Sequence, residues 1–417
     1  MDILKIATAG SVDDGKSTLI GRLLYETNSI TEDKIEALEA ASKRKGLDFL
    51  DLSLLTDGLI AEREQGITID VAHIYFSTPK RKYVIADTPG HFEYTRNMVT
   101  GASTAKVSLI LIDARHGVVE QTFRHFFIAS MLRIPKVVVC VNKMDLVNYN
   151  PERFQEILKD FKVFADKLRF EGQDIQFIPI SSLYGQNITT TSKEIAWYEG
   201  KSLLETLESI EIETLSHDTK PLGRFGVQSV IRPKTEEFHD YRGYAGRITS
   251  GVFEVGDTIK VLPTEQIAKI ASIEKFGKKL LSAKAKESVV ITLDIDVDVS
   301  RGNMIVPIDS PVPQRKEITA KICWLDSQAL TSGKTYLIQH GINTAKAKVI
   351  EITERYDVQT LERSDVVESL KLNEMGQIII RTSKPIFADK YEENPANGSF
   401  ILIDEQSNGT VGVGFVV

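Results

Sequence analysis

A chain of 417 residues is long enough for two or three domains of ordinary size. With 42% hydrophobic and 26% charged residues it has the profile of a folded globular protein, which excludes an intrinsically disordered chain. The net charge of -7 supplies no bulk attraction to nucleic acid or anionic lipid, so neither is expected as a partner.

In chain order, residues 3–9 form a short apolar run that predicts a buried strand. Lys5 interrupts that run, so it is not read as a leader peptide, and no later run is long and apolar enough to span a bilayer; the cytoplasm is the expected location. A glycine-rich turn follows, then a predicted helix over 16–27. Ser29 and Glu32 have capping-box spacing, which places the start of a second helix at Ser29, with Ile35, Leu38 and Ala41 as its apolar stripe. Further strands are expected at 70–76, 82–87, 107–113, 136–141 and 175–180, and helical segments near 92–104, 119–133, 151–169 and 201–208. Continuous apolar runs such as VSLILID and KVVVCV suit strands covered on both faces, so the alternation predicts a mostly parallel sheet wrapped by helices. Cys140 and Cys323 sit in such runs and are expected as buried, reduced thiols.

The pattern changes near residue 216, where 217–223 reads as a linker. Short alternating runs separated by turn signals follow at 225–231, 244–249, 258–262, 267–275 and 288–293. A second break at 309–314 precedes runs at 318–325, 335–339, 346–354, 376–382, 399–403 and 411–416. The expected architecture is an α/β P-loop GTPase domain over 1–215 followed by two antiparallel β-barrel domains, 216–312 and 313–417.

The first domain takes its expected chemistry from four loops. Gly10, Ser11, Val12, Asp13, Asp14, Gly15, Lys16 and Ser17, continued by Thr18, match G-x-x-x-x-G-K-[ST] between a strand and a helix. The glycines let backbone N–H groups turn toward phosphate oxygens, Lys16 can reach the outer phosphates, and Ser17 can ligate Mg²⁺. Asp87, Thr88, Pro89 and Gly90 follow the strand KYVIAD. Asp87 stands where a phosphate-binding enzyme holds magnesium, and the Gly90 N–H can approach a terminal phosphate. Asn142, Lys143, Met144 and Asp145 follow VVVCV. The Asp145 carboxylate can accept from adjacent N–H donors on a base, an edge that guanine has and adenine lacks. Lys143 can lie across the base and Asn142 can brace the phosphate loop. Ser181, Ser182 and Leu183 follow IQFIPI, where backbone N–H groups can meet the guanine oxygen. Their order along the chain predicts GTP and GDP, with Mg²⁺, as the bound cofactors. Thr68 fits a switch threonine that ligates Mg²⁺ only when the terminal phosphate is present. His91 beside Gly90 is the expected catalytic residue, orienting the attacking water, and Val12 and Ile67 are candidates for an apolar gate in front of it.

The motifs GSVDDGKST, AEREQGITID, ADTPGH and NKMD, followed by two barrels, resemble the translation-factor GTPase superfamily. Elongation factors carry a histidine where this chain has Ser11. The runs LLTDGLIAEREQGITIDVAHIYFST, IADTPGHFEYTRNMVTGAST, WYEGKSLLETLE and YRGYAGRITSG resemble the large, GTPase subunit of heteromeric sulfate adenylyltransferase (ATP sulfurylase). The resemblance implies a smaller catalytic subunit as partner. It also implies that GTP hydrolysis drives formation of adenosine 5′-phosphosulfate and pyrophosphate from ATP and sulfate. Ser182 departs from the family's usual alanine, and the segment 234–240 is slightly extended. Some relatives carry a fused adenylylsulfate kinase; with no second phosphate loop in the sequence, that activity is not expected. The alternative is an elongation-factor-like GTPase carrying aminoacyl-tRNA, against which Ser11 and the run around ADTPGH speak.

Overall fold

The computed structural model describes residues 2–44, 46, 50–55, 70–89, 95–211, 222–233, 241–356, 363–364 and 367–417. The described residues fall into two compact units, the first ending at 211 and the second beginning at 222.

The first unit is built on six strands: β1 (Ile3–Ala9), β2 (Ala72–Ser77), β3 (Lys82–Asp87), β4 (Val107–Asp113), β5 (Lys136–Asn142) and β6 (Asp174–Pro179). Their order is β2-β3-β1-β4-β5-β6, parallel throughout except for β2, which pairs antiparallel with β3 at one edge. β4 is buried along its whole length, as its continuous apolar run requires. The register sets Thr8 against Asp87 and Asp113 against Asn142, so the polar residues that end these strands line up along one edge.

The helices are α1 (Lys16–Glu26), α2 (Glu32–Arg44), α3 (Thr95–Ala102), α4 (Glu120–Met131), α5 (Pro151–Leu168) and α6 (Leu203–Ser209). α5 starts where Asn150 accepts the N–H groups of Glu152 and Arg153, with Pro151 at its first position. α6 starts with a capping box between Ser202 and Glu205. α2 corrects the sequence expectation. It begins at Glu32, with the Thr31 carbonyl accepting the N–H groups of Lys34 and Ile35 at 3.0 and 3.2 Å. Ser29 instead finishes α1: its N–H donates to the Leu24 carbonyl at 2.9 Å while Asn28 adopts φ 53°. The unpaired carbonyls at the end of α1 make the stronger claim on Ser29.

The second unit contains two closed antiparallel barrels. The first is formed by β7 (Arg224–Ile231), β8 (Gly243–Ser250), β9 (Thr258–Leu262), β10 (Gln266–Lys275), β11 (Ser288–Leu293) and β12 (Met304–Pro307), in the order β9-β12-β7-β8-β11-β10. Pairing of β9 with β10 closes it. The second is formed by β13 (Gln314–Trp324), β14 (Thr335–His340), β15 (Asn343–Tyr356), β16 (Met375–Phe387), β17 (Ser399–Ile403) and β18 (Thr410–Val416). Its order is β14-β17-β18-β13-β16-β15, and β14 with β15 closes it. Each barrel has its own apolar core. A polar knot joins them: Arg224, 0% exposed, donates from Nε and Nη2 to the two oxygens of Asp389 at 3.0 and 2.8 Å, and from Nη1 to Ser310 Oγ at 2.6 Å. Cys140 and Cys323 are buried free thiols, pushed up to about 12 by that burial.

Candidate functional site

The carboxyl ends of β1, β3, β4, β5 and β6 share one edge of the sheet, the edge at which parallel α/β sheets bind ligands. Residues 10–15 make the turn from β1 into α1, with Asp13 at φ 68° and Gly15 at φ 88°. Gly15 is required twice over. Its backbone is left-handed, and a Cβ there would stand 2.5 Å from Asn142 Nδ2. Asp14 folds the turn on itself: its Oδ2 accepts the Ser11 N–H at 2.6 Å and its own N–H donates to the Ser11 carbonyl at 3.2 Å. Burial pushes the Asp14 carboxyl up to about 6 despite that hydrogen bond. Val12 and Asp13 are exposed, and Ser17 and Thr18 are half-buried at the start of α1.

Lys16 is buried, with Nζ 3.0 Å from Asp87 Oδ1 and donating to the Thr88 carbonyl. Thr8 Oγ1 donates to the same Asp87 oxygen at 3.1 Å, and Thr88 Oγ1 returns to the Thr8 carbonyl at 2.5 Å. These bonds tie the ends of β1 and β3 to the first turn of α1. Pro89 is buried beside them. Thr68, Ile67, Gly90 and His91 lie outside the described residues.

Asn142 couples the first and third loops. Its Nδ2 donates to the Asp14 carbonyl at 2.7 Å, and its Oδ1 accepts the Ser182 N–H and hydroxyl, each at 2.9 Å. The serine at 182 thus adds a hydroxyl bond that the family's alanine cannot make. Lys143 adopts φ 60° and points Nζ to Asp113 at 3.1 Å. Met144 is buried, its N–H bonded to the Ile180 carbonyl at 3.2 Å. Asp145 is half-buried, and one of its oxygens accepts from Ser181 Oγ at 2.6 Å. Of the site residues expected from the sequence that are among the described residues, 10–18, 87–89, 142–145 and 181–183 lie at a single edge of the sheet.

Three residues here escape motif reading. Asp113 and Arg115 form a clip beside Lys143: Arg115 Nε and Nη2 donate to the two Asp113 oxygens at 3.0 and 2.7 Å. Burial raises the Asp113 carboxyl, but the bonds from Arg115 and Lys143 outweigh it and hold it at about 2. Arg22, on α1, reaches the carbonyls of Ser182 and Leu183. Asp113 was detectable, because it ends a buried strand as Asp87 and Asn142 do. Arg22 gave no signal, since its partners lie 160 residues away.

Magnesium prefers hard oxygen donors and takes one or two protein groups, substrate phosphates and waters. A serine hydroxyl at the start of α1 and the Asp87 carboxylate are donors of that kind, and Ser17 Oγ has no hydrogen bond among the described residues. The set therefore fits the ion.

The profile of the Elongation factor Tu GTP binding domain matches residues 1–213, and that of the GTP-eEF1A C-terminal domain-like family matches residues 317–417. The protein is thus a P-loop GTPase of the translation-factor class, an α/β domain followed by two antiparallel barrels. It is 46% identical over 418 residues to Sulfate adenylyltransferase subunit 1 of Cellvibrio japonicus (strain Ueda107), covering 100% of this chain and 87% of that one. It is 45% identical over 419 residues to the protein of the same name from Bacteroides fragilis (strain YCH46), covering 100% and 86%. Identity to the Bifunctional enzyme CysN/CysC of Mycobacterium tuberculosis (strain ATCC 25618 / H37Rv) is 48% over 417 residues, covering 100% and 67%. The chain belongs to the sulfate adenylyltransferase subunit 1 family. Its fold is also similar to the S. cerevisiae Ski7 GTPase-like domain, solved with GDP and inorganic phosphate, at a TM-score of 0.53 and 17% identity, covering 100% and 97% of the two chains. No helix among the described residues is long and apolar enough to cross a membrane.

Proposed function

We propose that this chain is the GTPase subunit of a heteromeric sulfate adenylyltransferase. GTP hydrolysis on it drives a smaller catalytic subunit to form adenosine 5′-phosphosulfate and pyrophosphate from ATP and sulfate. The observation that carries the nucleotide half of this reading is the convergence of residues 10–18, 87–89, 142–145 and 181–183 on one sheet edge, cross-linked through Asn142. Identity of 45–48% along the whole chain supports the sulfate half. The chain divides into working parts at 1–215, 216–312 and 313–417, with chemistry in the first and partner contacts in the barrels.

The roles follow from the chemistry of each group. The N–H groups of the turn 10–15 and the Lys16 ammonium hold the phosphates. Ser17, Thr68 and Asp87 hold magnesium, which offsets negative charge on the outer phosphates when bound. The Gly90 N–H reaches the terminal phosphate, and His91 orients the attacking water. Asp145 accepts two guanine N–H groups, Lys143 lies along the base, and Asn142 keeps base loop and phosphate loop in step. The test is co-purification with the small subunit followed by a sulfate adenylylation assay with and without GTP. GTP-dependent product from the copurified pair is expected; recovery of tRNA with no such product would move the chain to the carrier class.

A further inference from the structure

Arg22 sits on the face of α1 turned toward the loop that follows β6, away from the phosphate end. Its Nε donates to the Ser182 carbonyl at 3.1 Å, and its Nη2 donates to the Leu183 carbonyl. One turn further along, Glu26 lies 3.8 Å from Arg22 Nη1 and accepts the Thr189 hydroxyl at 2.6 Å. Gly185 packs so closely against this pair that a Cβ there would stand 2.2 Å from Glu26 Oε1. Helix α1 therefore grips the outer side of the 181–189 loop.

That grip has a directional consequence. In a trans peptide unit the C=O and N–H point opposite ways. With the Ser182 carbonyl held toward Arg22, the Leu183 N–H of the same unit faces away from it. The neighbouring donors are already used: Ser182 N–H by Asn142 Oδ1 at 2.9 Å, and Tyr184 N–H by Ser181 Oγ at 3.4 Å. The Leu183 N–H has no acceptor among the described residues. It belongs to the loop whose Ser181 hydroxyl is bonded to Asp145, the carboxylate assigned to the base.

We propose that Arg22 is a positioning residue for base selection: by fixing the Ser182 and Leu183 carbonyls outward, it aims the Leu183 N–H at the 6-oxygen of a guanine held by Asp145. The proposal rests on the nucleotide site described above. An arginine suits the task because its planar fork serves two successive carbonyls at once, whereas a lysine has one compact head. A purely structural clamp between α1 and the loop would affect every purine nucleotide alike. An aiming device affects the atom it aims at.

The experiment compares GDP with 6-thio-GDP, which keeps the N–H edge but replaces the 6-oxygen by a weak acceptor. Affinities are measured by calorimetry on the full chain, wild type and Arg22→Met. Wild type is expected to prefer GDP. Arg22→Met should lose GDP affinity by roughly tenfold while 6-thio-GDP affinity changes little, so the preference collapses toward one. Arg22→Lys, which keeps the charge but replaces the planar fork by one compact ammonium, should fall between them and guards against a methionine variant that does not fold. Equal loss for both nucleotides, or an unchanged preference in both variants, would overturn the proposal. Failure of the wild type to prefer GDP over ADP would instead remove the nucleotide site on which it rests.

Discussion

Asp14 is a buried carboxyl inside the phosphate-binding turn, and its environment makes a signed prediction. Burial pushes it up to about 6, against 3.8 for the free group. Between those values the folded chain holds a proton that the unfolded chain has released, so stability falls as pH rises across that window and stays lower above it. The full loss amounts to about 3 kcal/mol. Asparagine keeps an oxygen for the Ser11 N–H and carries no charge. Asp14→Asn should therefore melt at a higher temperature than wild type at pH 8, without nucleotide, and the gap should shrink toward pH 5. A gap that does not depend on pH would mean that the ionised carboxylate is well solvated. Asp145 makes a prediction about chemistry instead. The Ser181 hydroxyl donates to one of its oxygens, so the amide of Asp145→Asn is oriented with its oxygen to Ser181 and its N–H₂ toward the base. That donor suits the 2-oxygen of xanthine and opposes the 2-amino group of guanine. GDP binding should weaken by roughly 10²–10⁴-fold while XDP binding improves. Titration showing neither change would place Asp145 away from the base.

At the scale of elements, what the sequence revealed depended on how local the cause was. Continuous apolar runs such as VSLILID are self-sufficient signals, and β4 and β5 fall where they predict. The capping spacing of Ser29 and Glu32 was equally local, yet the end of α1 took Ser29 first, and α2 starts three residues later. Strand direction was hidden as well: β2 runs antiparallel, which its own residues do not encode. The four loop motifs were readable because each needs particular residue types at fixed spacing. Asp113 showed only as a polar residue ending a buried strand, and Arg22 did not show at all, because its value comes from partners the fold brings to it. The knot between the barrels is of that second kind. Arg224 begins β7, while Asp389 follows β16 and is further bonded by the amides of Asn394 and Asn397, both at 2.8 Å. Arg224→Met would leave that carboxylate buried without its cation, at a cost of about 3–5 kcal/mol. Adding Asp389→Leu removes the stranded charge, so the double variant should be more stable than Arg224→Met alone in urea unfolding. If the two substitutions simply add, the pair is not coupled in the way the geometry indicates.

The number of nucleotide sites one chain presents decides which reactions it can carry out alone. The sequence holds one phosphate-loop motif and one NKMD, and their described residues meet at a single edge of the first sheet. The barrels offer closed apolar cores and, among the described residues, no glycine-rich turn running from a strand into a helix. Adenylyl transfer needs a second nucleotide site with cations set to stabilise charge on the α-phosphate of ATP. We therefore expect the isolated chain to hydrolyse GTP slowly and to make no adenosine 5′-phosphosulfate. Hydrolysis can drive the partner only if loss of the terminal phosphate changes what the chain presents to it; on the function proposed above, the segments around Thr68 and His91 would sense that loss and the barrels would contact the partner. With the small subunit, ATP and sulfate, GTP should raise product beyond the level reached without it. A non-hydrolysable analogue occupies the same pocket but supplies no hydrolysis free energy, so at equilibrium it should leave that level unchanged. The measurement is product accumulated at long times, not its initial rate, because an analogue that merely activates the partner would speed the approach to equilibrium without moving it. Product from the isolated chain, or an equal excess with the analogue, would place the coupling elsewhere.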